Sequence, residues 1–232
     1  MVKKADFPVK SAAGLKKRAR RVVEILRRTY PDAWCTLNFK TSLQLLISTI
    51  LSAQCTDERV NALTPGLFAK YRSAADWAKA PLSQVEEDIR PAGFFRNKAK
   101  NIVSCCQDML ARFGGEVPDR MEDLVTLAGV GRKTANVLLA TVWHHPAVIV
   151  DTHVQRVSQR LGLATEKNAD KIELELQALL PKEDWTFYSH SIIFHGRRIC
   201  TAKKPDCPGC PLNRICPSAS IFGTISSKGR KK

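Results

Sequence analysis

Lys133 stands in the segment Leu-Ala-Gly-Val-Gly-Arg-Lys-Thr-Ala (127–135), where two glycines bracket one valine and a basic pair follows. Such glycines permit a tight turn and the close approach of another molecule. A helix opening at Arg132 would present first-turn N–H groups without internal partners, together with the positive end of its dipole. Phosphate is the natural ligand there, so Gly129, Val130 and Gly131 read as a phosphate-gripping corner between two helices. A bare Gly-x-Gly is more often an ordinary helix corner, and Lys133 is what sets this one apart. An amine attacks only in its neutral form. A helix N-terminus and a small apolar helix face (Ala135, Val137, Leu138, Ala140) both disfavour an ammonium.

Asp151 is the natural companion. A helix over 132–144 carries the chain ~20 Å away, and the extended run Ala147–Val150 after His144-His145-Pro146 returns it by ~15 Å. That path predicts Asp151 near Lys133. Asp151 also has the position of an N-cap for a helix beginning at Thr152. The two roles are compatible, because a capping carboxylate is held in place and stays ionised.

A second constellation lies near the C-terminus. Cys200, Cys207, Cys210 and Cys216 follow the pattern C-x6-C-x2-C-x5-C in a stretch rich in proline. No export signal is evident, since Lys and Arg recur through the first turns. Crowded cysteines in such a chain are metal ligands rather than disulfides. Four thiolates without histidine suit either zinc or an iron–sulfur cube, and spacing alone leaves both open. Cys35, Cys55, Cys105 and Cys106 are scattered among apolar residues and read as small core side chains.

The elements that must position these residues are helical almost throughout. Leu15, Ala19, Val22, Val23 and Leu26 form a stripe with helical period. Residues 40–53 are apolar on more than one face and predict a buried helix. Ser83-Gln-Val-Glu86 reads as a capping box opening another, and a long helix over 96–113 ends at Gly114-Gly115. Further helices fit 120–127, 132–144, 152–162, 169–180 and 184–196. Ala147–Val150 is strand-like but has no obvious partner, so the expected class is all-α. At 44% hydrophobic and 25% charged, the 232-residue chain has a globular composition, and no apolar run approaches the length of a membrane span. The net charge of +15 suggests a polyanionic partner, but residues 1–28 hold +8 and the tail 228–232 holds +4. The charge therefore does not locate a groove.

With these motifs in place the chain resembles the endonuclease III family of bifunctional DNA glycosylases, from about Leu15 to Pro217. The likeness rests on Leu127–Ala135, Val150-Asp-Thr-His-Val154, Leu51-Ser-Ala-Gln-Cys-Thr-Asp57, Gly93–Ile102 and Ile193-Phe-His-Gly-Arg197. It implies two helical subdomains flanking a DNA-binding cleft. One is a six-helix barrel over 35–145 containing a helix-hairpin-helix; the other is formed by 1–34 with 146–217 and carries the cluster. Residues 218–232 would be a basic, disordered tail.

The resemblance also assigns roles. Lys133 would attack C1′ of a flipped damaged nucleotide, release an oxidised pyrimidine and cut the strand by β-elimination through a Schiff base. Asp151 would assist. Gln54 and Phe94 would fill or wedge the gap, although relatives often carry leucine at the position of Phe94. From the residues alone these two are a helix-end polar residue and a buried aromatic. Ala128 replaces a proline common in relatives, which loosens the entry to the hairpin. The four cysteines would hold a [4Fe–4S] cluster, ordering the loop so that Lys203 and Lys204 face phosphate. The implied partner is double-stranded DNA with damaged bases or abasic sites, met by a monomer with no membrane association. The compartment would be the bacterial cytoplasm with its nucleoid, or a eukaryotic nucleus or mitochondrion. Two other readings share the motifs: an adenine-type glycosylase without efficient strand cutting, and a non-enzymatic DNA-binding helical protein.

Overall fold

A computed structural model describes residues 11–226, so the basic tail at 228–232 lies outside the described residues. Among them the chain is helical, with short 3₁₀ turns and no β-strand, in agreement with the periodicity. The helices are α1 (Ala12–Thr29), α2 (Ser42–Leu51), α3 (Asp57–Lys70), α4 (Ala74–Lys79), α5 (Leu82–Asp88) and α6 (Phe95–Phe113). They continue as α7 (Met121–Leu124), α8 (Arg132–Val142), α9 (Thr152–Arg160), α10 (Ala169–Leu179), α11 (Trp185–Arg198) and α12 (Ala219–Ser226). The chain divides into two compact units, Cys35–His145 and Met1–Trp34 with Pro146–Lys232.

In the first unit α2 to α8 surround one core. All seven residues from Leu45 to Leu51 are buried, which is why α2 is apolar on more than one face. Trp77 of α4 is fully enclosed and stacks on Tyr71 with ring centroids 4.2 Å apart. α6 closes where expected, with Gly114 left-handed at φ 62° and the Gly115 N–H donating to the Met109 carbonyl at 2.9 Å. Two local expectations fail. Ser83 does not cap α5, because the helix already begins at Leu82 after Pro81 and Ser83 lies inside its first turn. The capping box is one helix earlier, where Ser73 and Asp76 bond reciprocally at the start of α4. α3 has no clear sequence period, since Pro65 and Gly66 interrupt it, yet Val60, Thr64 and Leu67 still face the core.

The second unit packs α1, α10 and α11 around the stripe predicted on α1. Ala19, Val22, Val23 and Leu26 are buried and Leu15 is half-buried. α9 lies closely against α11. The strand-like run Ala147–Val150 is buried and extended but joins no sheet. Instead the Ser189 hydroxyl accepts from the Ile149 N–H at 2.9 Å, and Thr186 exchanges bonds with Ala147 at 3.3 and 3.4 Å. Hydroxyls of α11 thus satisfy backbone groups that a neighbouring strand would otherwise pair. The chain beyond 217 differs from the expected disordered tail: Ala219–Ser226 is helical. Its Ala-Ser-Ile-Phe opening is apolar, and Phe222 lies under the Arg160 guanidinium at 4.5 Å.

Candidate functional site

The hairpin is tighter than the sequence predicts, since α7 is a single turn. The Val130 N–H donates to the Leu127 carbonyl at 3.1 Å, and the Val130 side chain is buried, which fixes the corner. The two glycines then separate in role. Gly129 sits at φ +77°, and a Cβ there would come 2.8 Å from the Cβ of Asn101 on α6. Glycine is required at 129 by backbone conformation and by close packing inside the protein. Gly131 has ordinary extended φ, and nothing lies within 4 Å of where its Cβ would be. It caps α8 without supplying a side-chain acceptor. The open approach for an outside molecule therefore narrows to Gly131 and the first turn of α8.

Lys133 lies in that first turn and is exposed. This corrects the expectation of a partly desolvated amine. Helical period turns Ala135, Leu138 and Leu139 into the core, and Asn136 and Ala140 bury the Lys133 side from the next turn on. Lys133 is exposed because it stands at the open start of α8.

Asp151 is the N-cap of α9. Its Oδ1 accepts both the His153 and Val154 N–H groups at 2.8 Å, and among the described residues no hydrogen bond reaches Oδ2. The same carboxylate bears electrostatically on His153 and on buried His190, whose pKa burial pushes down to about 4. Lys133 belongs to the 35–145 unit and Asp151 to the other.

Gln54 and Phe94 share an unusual feature. Both are non-glycine residues with left-handed backbone, at φ 54° and 49°. Gln54 follows the end of α2, as read from sequence, and is exposed. Phe94 precedes α6 and is 64% exposed, so the reading of it as a buried aromatic is wrong. A large aromatic held exposed in a strained conformation has a reason outside the core.

The four cysteines line one concavity, with Leu212, Phe222 and Arg160 among its walls. Among the described residues no three His, Cys, Asp or Glu side chains converge tightly enough to hold a single metal ion. Burial raises the Cys207 and Cys216 thiols and pushes Cys210 up to about 11. A bound metal centre would draw these thiols to the thiolate form. Two nitrogens face the sulfurs: Arg160 Nη1 donates to Cys200 Sγ at 3.2 Å, and His195 Nε2 lies 3.5 Å from Cys210 Sγ. The His195 ring is buried, and its other nitrogen meets the Tyr30 hydroxyl at 3.1 Å. Arg160 also donates to the Thr201 and Ala202 carbonyls, both at 2.8 Å. Lys203 and Lys204 are exposed on the turn beyond, which Thr201 closes by donating to the Lys204 carbonyl at 2.7 Å. The donor set, the wall and the buried thiols fit a polynuclear cluster.

Arg160 carries no sequence signal of this role, being one basic residue among many. Of the scattered cysteines, Cys105 and Cys106 are buried core residues as expected, whereas Cys35 and Cys55 are only partly buried.

Comparison with known proteins agrees with this architecture. Residues 47–182 match the family described as HhH-GPD superfamily base excision DNA repair protein. An endonuclease III from Synechocystis sp. is 51% identical over 212 residues, covering 91% of this chain and 97% of that protein. Two solved structures are each 42% identical. A non-covalent endonuclease III–DNA complex has a TM-score of 0.87, covering 90% of this chain and 98% of that one. A trapped endonuclease III–DNA covalent intermediate has a TM-score of 0.86, covering 89% and 97%. Within the superfamily of base-excision repair proteins, then, the chain belongs to the endonuclease III family. The activities of that family are those of a bifunctional DNA glycosylase and abasic-site lyase. No helix among the described residues is long and apolar enough to cross a membrane.

Proposed function

We propose that this chain excises oxidised pyrimidines from double-stranded DNA and cuts the strand 3′ to the resulting site, with Lys133 as the nucleophile. The observation that carries this reading is the exposed Lys133 in the first turn of α8, two residues after the open N-cap Gly131. Phosphate bound at that terminus would register the DNA backbone on the amine. The damaged nucleotide leaves the stack, because C1′ is inaccessible in paired duplex. The Lys133 nitrogen bonds to C1′ as the glycosidic bond breaks, and the base departs with the electron pair and takes up a proton. Opening of the sugar ring leaves an iminium. Loss of a C2′ proton then expels the 3′ phosphate, and water releases the enzyme.

Asp151 would take the proton from the amine and stabilise the cationic sugar. Its Oδ1 is held by two amides, which leaves Oδ2 for that work. Gln54 and Phe94 would occupy the vacated stack. A [4Fe–4S] cluster on Cys200, Cys207, Cys210 and Cys216 would supply structure, ordering the loop that carries Lys203 and Lys204 to phosphate. The trapped covalent complex of a 42% identical relative supports an enzyme–DNA bond in the reaction. The protein would act as a monomer wherever chromosomal DNA is kept.

A lesion panel tests the assignment. On duplex containing an oxidised pyrimidine the wild type is expected to release the base and cut the strand. On a preformed abasic site it should only cut, and adenine opposite 8-oxoguanine should survive. Release of adenine without cutting would place the chain with the adenine-type enzymes instead.

Asp151→Asn separates capping from chemistry. An asparagine still caps, so stability should fall by no more than ~0.5–2 kcal/mol. Turnover on the oxidised lesion should drop by roughly 10²-fold or more with DNA affinity nearly unchanged. Near-normal turnover would reduce Asp151 to a helix cap.

A further inference from the structure

Lys98 is the buried cation that the reaction as described does not use. It lies on α6, only 4% exposed, and among the described residues no carboxylate bonds to it. Its Nζ donates to two backbone carbonyls, Leu51 O and Ala92 O, each at 2.8 Å. Burial lowers its pKa, and the nearby Cys55 thiol partly offsets this.

The two carbonyls explain the cost of burying this charge. Leu51 is the last residue of α2, and Ala92 the last of the 3₁₀ turn Arg90–Ala92. Terminal carbonyls lack intrahelical donors and carry the negative end of the helix dipole. One ammonium therefore caps two helix ends at once. Within three residues of each end the chain enters left-handed backbone: Gln54 lies three residues beyond Leu51, and Gly93 and Phe94 follow Ala92. Two of the three non-glycine left-handed residues among the described residues thus sit just past Lys98's two acceptors.

We propose that Lys98 is a positioning residue, a strut that ties the Gln54 loop to the Phe94 loop so that both side chains meet a DNA gap together. The DNA half of this rests on the reading of Gln54 and Phe94 as gap-filling residues. A strut predicts coupling, which a lysine satisfied merely for stability does not. Removing the ammonium orphans both carbonyls together, and both loops should loosen together. Neither loop need unfold the core for this to happen, because local opening is drawn from the least stable segments.

Two measurements on the whole protein separate the strut from the DNA reading. The first is amide exchange in free Lys98→Met, read at Ser52, Ala53 and Cys55 and at Ala92 and Gly93, all hydrogen-bonded in the structure. Exchange should rise by about tenfold or more at both groups, with Lys98→Arg restoring most of the protection. Unchanged exchange at either group, or a rise shared equally by the whole unit, overturns the strut. Should Lys98→Met not fold, Lys98→Gln, uncharged and one bond too short to hold both carbonyls, replaces it under the same criteria.

The second measurement is preference for a tetrahydrofuran abasic-site duplex over intact duplex, with 2-aminopurine opposite the gap reporting insertion. Lys98→Met should lose about tenfold in preference and most of the fluorescence change, while binding to intact duplex stays normal. In a Gln54→Ala/Phe94→Ala background the same substitution should change neither. Loosened loops with wild-type preference in both Lys98→Met and the double variant would refute the gap-filling reading and leave the strut standing. Loosened loops, a double variant that loses preference and a Lys98→Met that keeps it would overturn the proposal.

Discussion

Lys133→Ala will abolish the covalent complex that borohydride traps between wild type and a duplex carrying an oxidised pyrimidine. The trapped species is a reduced imine, and alanine has no nitrogen to form one. Base release should fall by roughly 10³-fold or more, since the nucleophile and the covalent route go together. Affinity for the same duplex should change by less than about tenfold, because the backbone amides that follow Gly131 and the shape of the hairpin are kept. Lys133 is exposed in the first turn of α8, so removing its side chain leaves no cavity and folding should be nearly unaffected. Lys133→Gln, which retains length and polarity, should behave as the alanine variant does. Equal trapping by wild type and Lys133→Ala would move the nucleophile elsewhere. Absence of trapping with wild type would remove the lyase reading altogether.

How much of this was legible in the sequence depends on what kind of interaction places each residue. Helices held by an apolar stripe, such as α1 and α6, were readable because burial imposes a period on the residues. α3 was not, because Pro65 and Gly66 break the pattern and tertiary packing of Val60 and Leu67 overrides it. The Ser83 capping box fits its motif and is nevertheless wrong. A pattern of side chains cannot show that Pro81 has already started the helix two residues earlier. The extended run at 147–150 was recognised, but its partner was not, because hydroxyls thirty-nine and forty residues away supply the bonds.

At the site, residues whose backbone chemistry is restrictive were the readable ones. Gly129 and Gly131 were grouped by type, and the structure separates them by surroundings, one packed on Asn101 and the other open. Asp151 could be read as a cap, and which of its oxygens the cap consumes is visible only in three dimensions. Lys98 lay inside a motif quoted for family resemblance, yet nothing in a lysine's letter says that it is buried on two carbonyls. The strain at Phe94 and Gln54 is equally silent, since neither residue type favours a left-handed backbone.

Cys210→Ala is the other large effect, and comparing it with Cys105→Ala shows what the cysteine loop depends on. From Cys200 to Cys216 the chain has little regular structure, one 3₁₀ turn at Asn213–Ile215, and Leu212 as its one fully buried apolar side chain. Such a segment cannot offset its own ordering entropy by burial, at roughly 1–2 kcal/mol per residue for the backbone alone. Arg160 and His195 contribute bonds from α9 and α11, but they face sulfur and carbonyl atoms whose placement needs the centre. Loss of one thiolate ligand should therefore cost several kcal/mol, a large part of the roughly 5–15 kcal/mol that stabilises a domain. Cys210→Ala is expected to purify colourless, with iron and sulfide lost, the 200–216 loop open to protease and DNA affinity reduced through Lys203 and Lys204. Cys105 is fully buried, and burial raises its pKa to about 12, so it acts as a small apolar side chain. Cys105→Ala should keep the brown colour and the full iron content, at a stability cost of about 0.5–3 kcal/mol. Iron, sulfide and visible absorbance on both variants decide the matter. A Cys210→Ala protein with full iron content, or a colourless, zinc-replete and active wild type, would remove the iron–sulfur assignment.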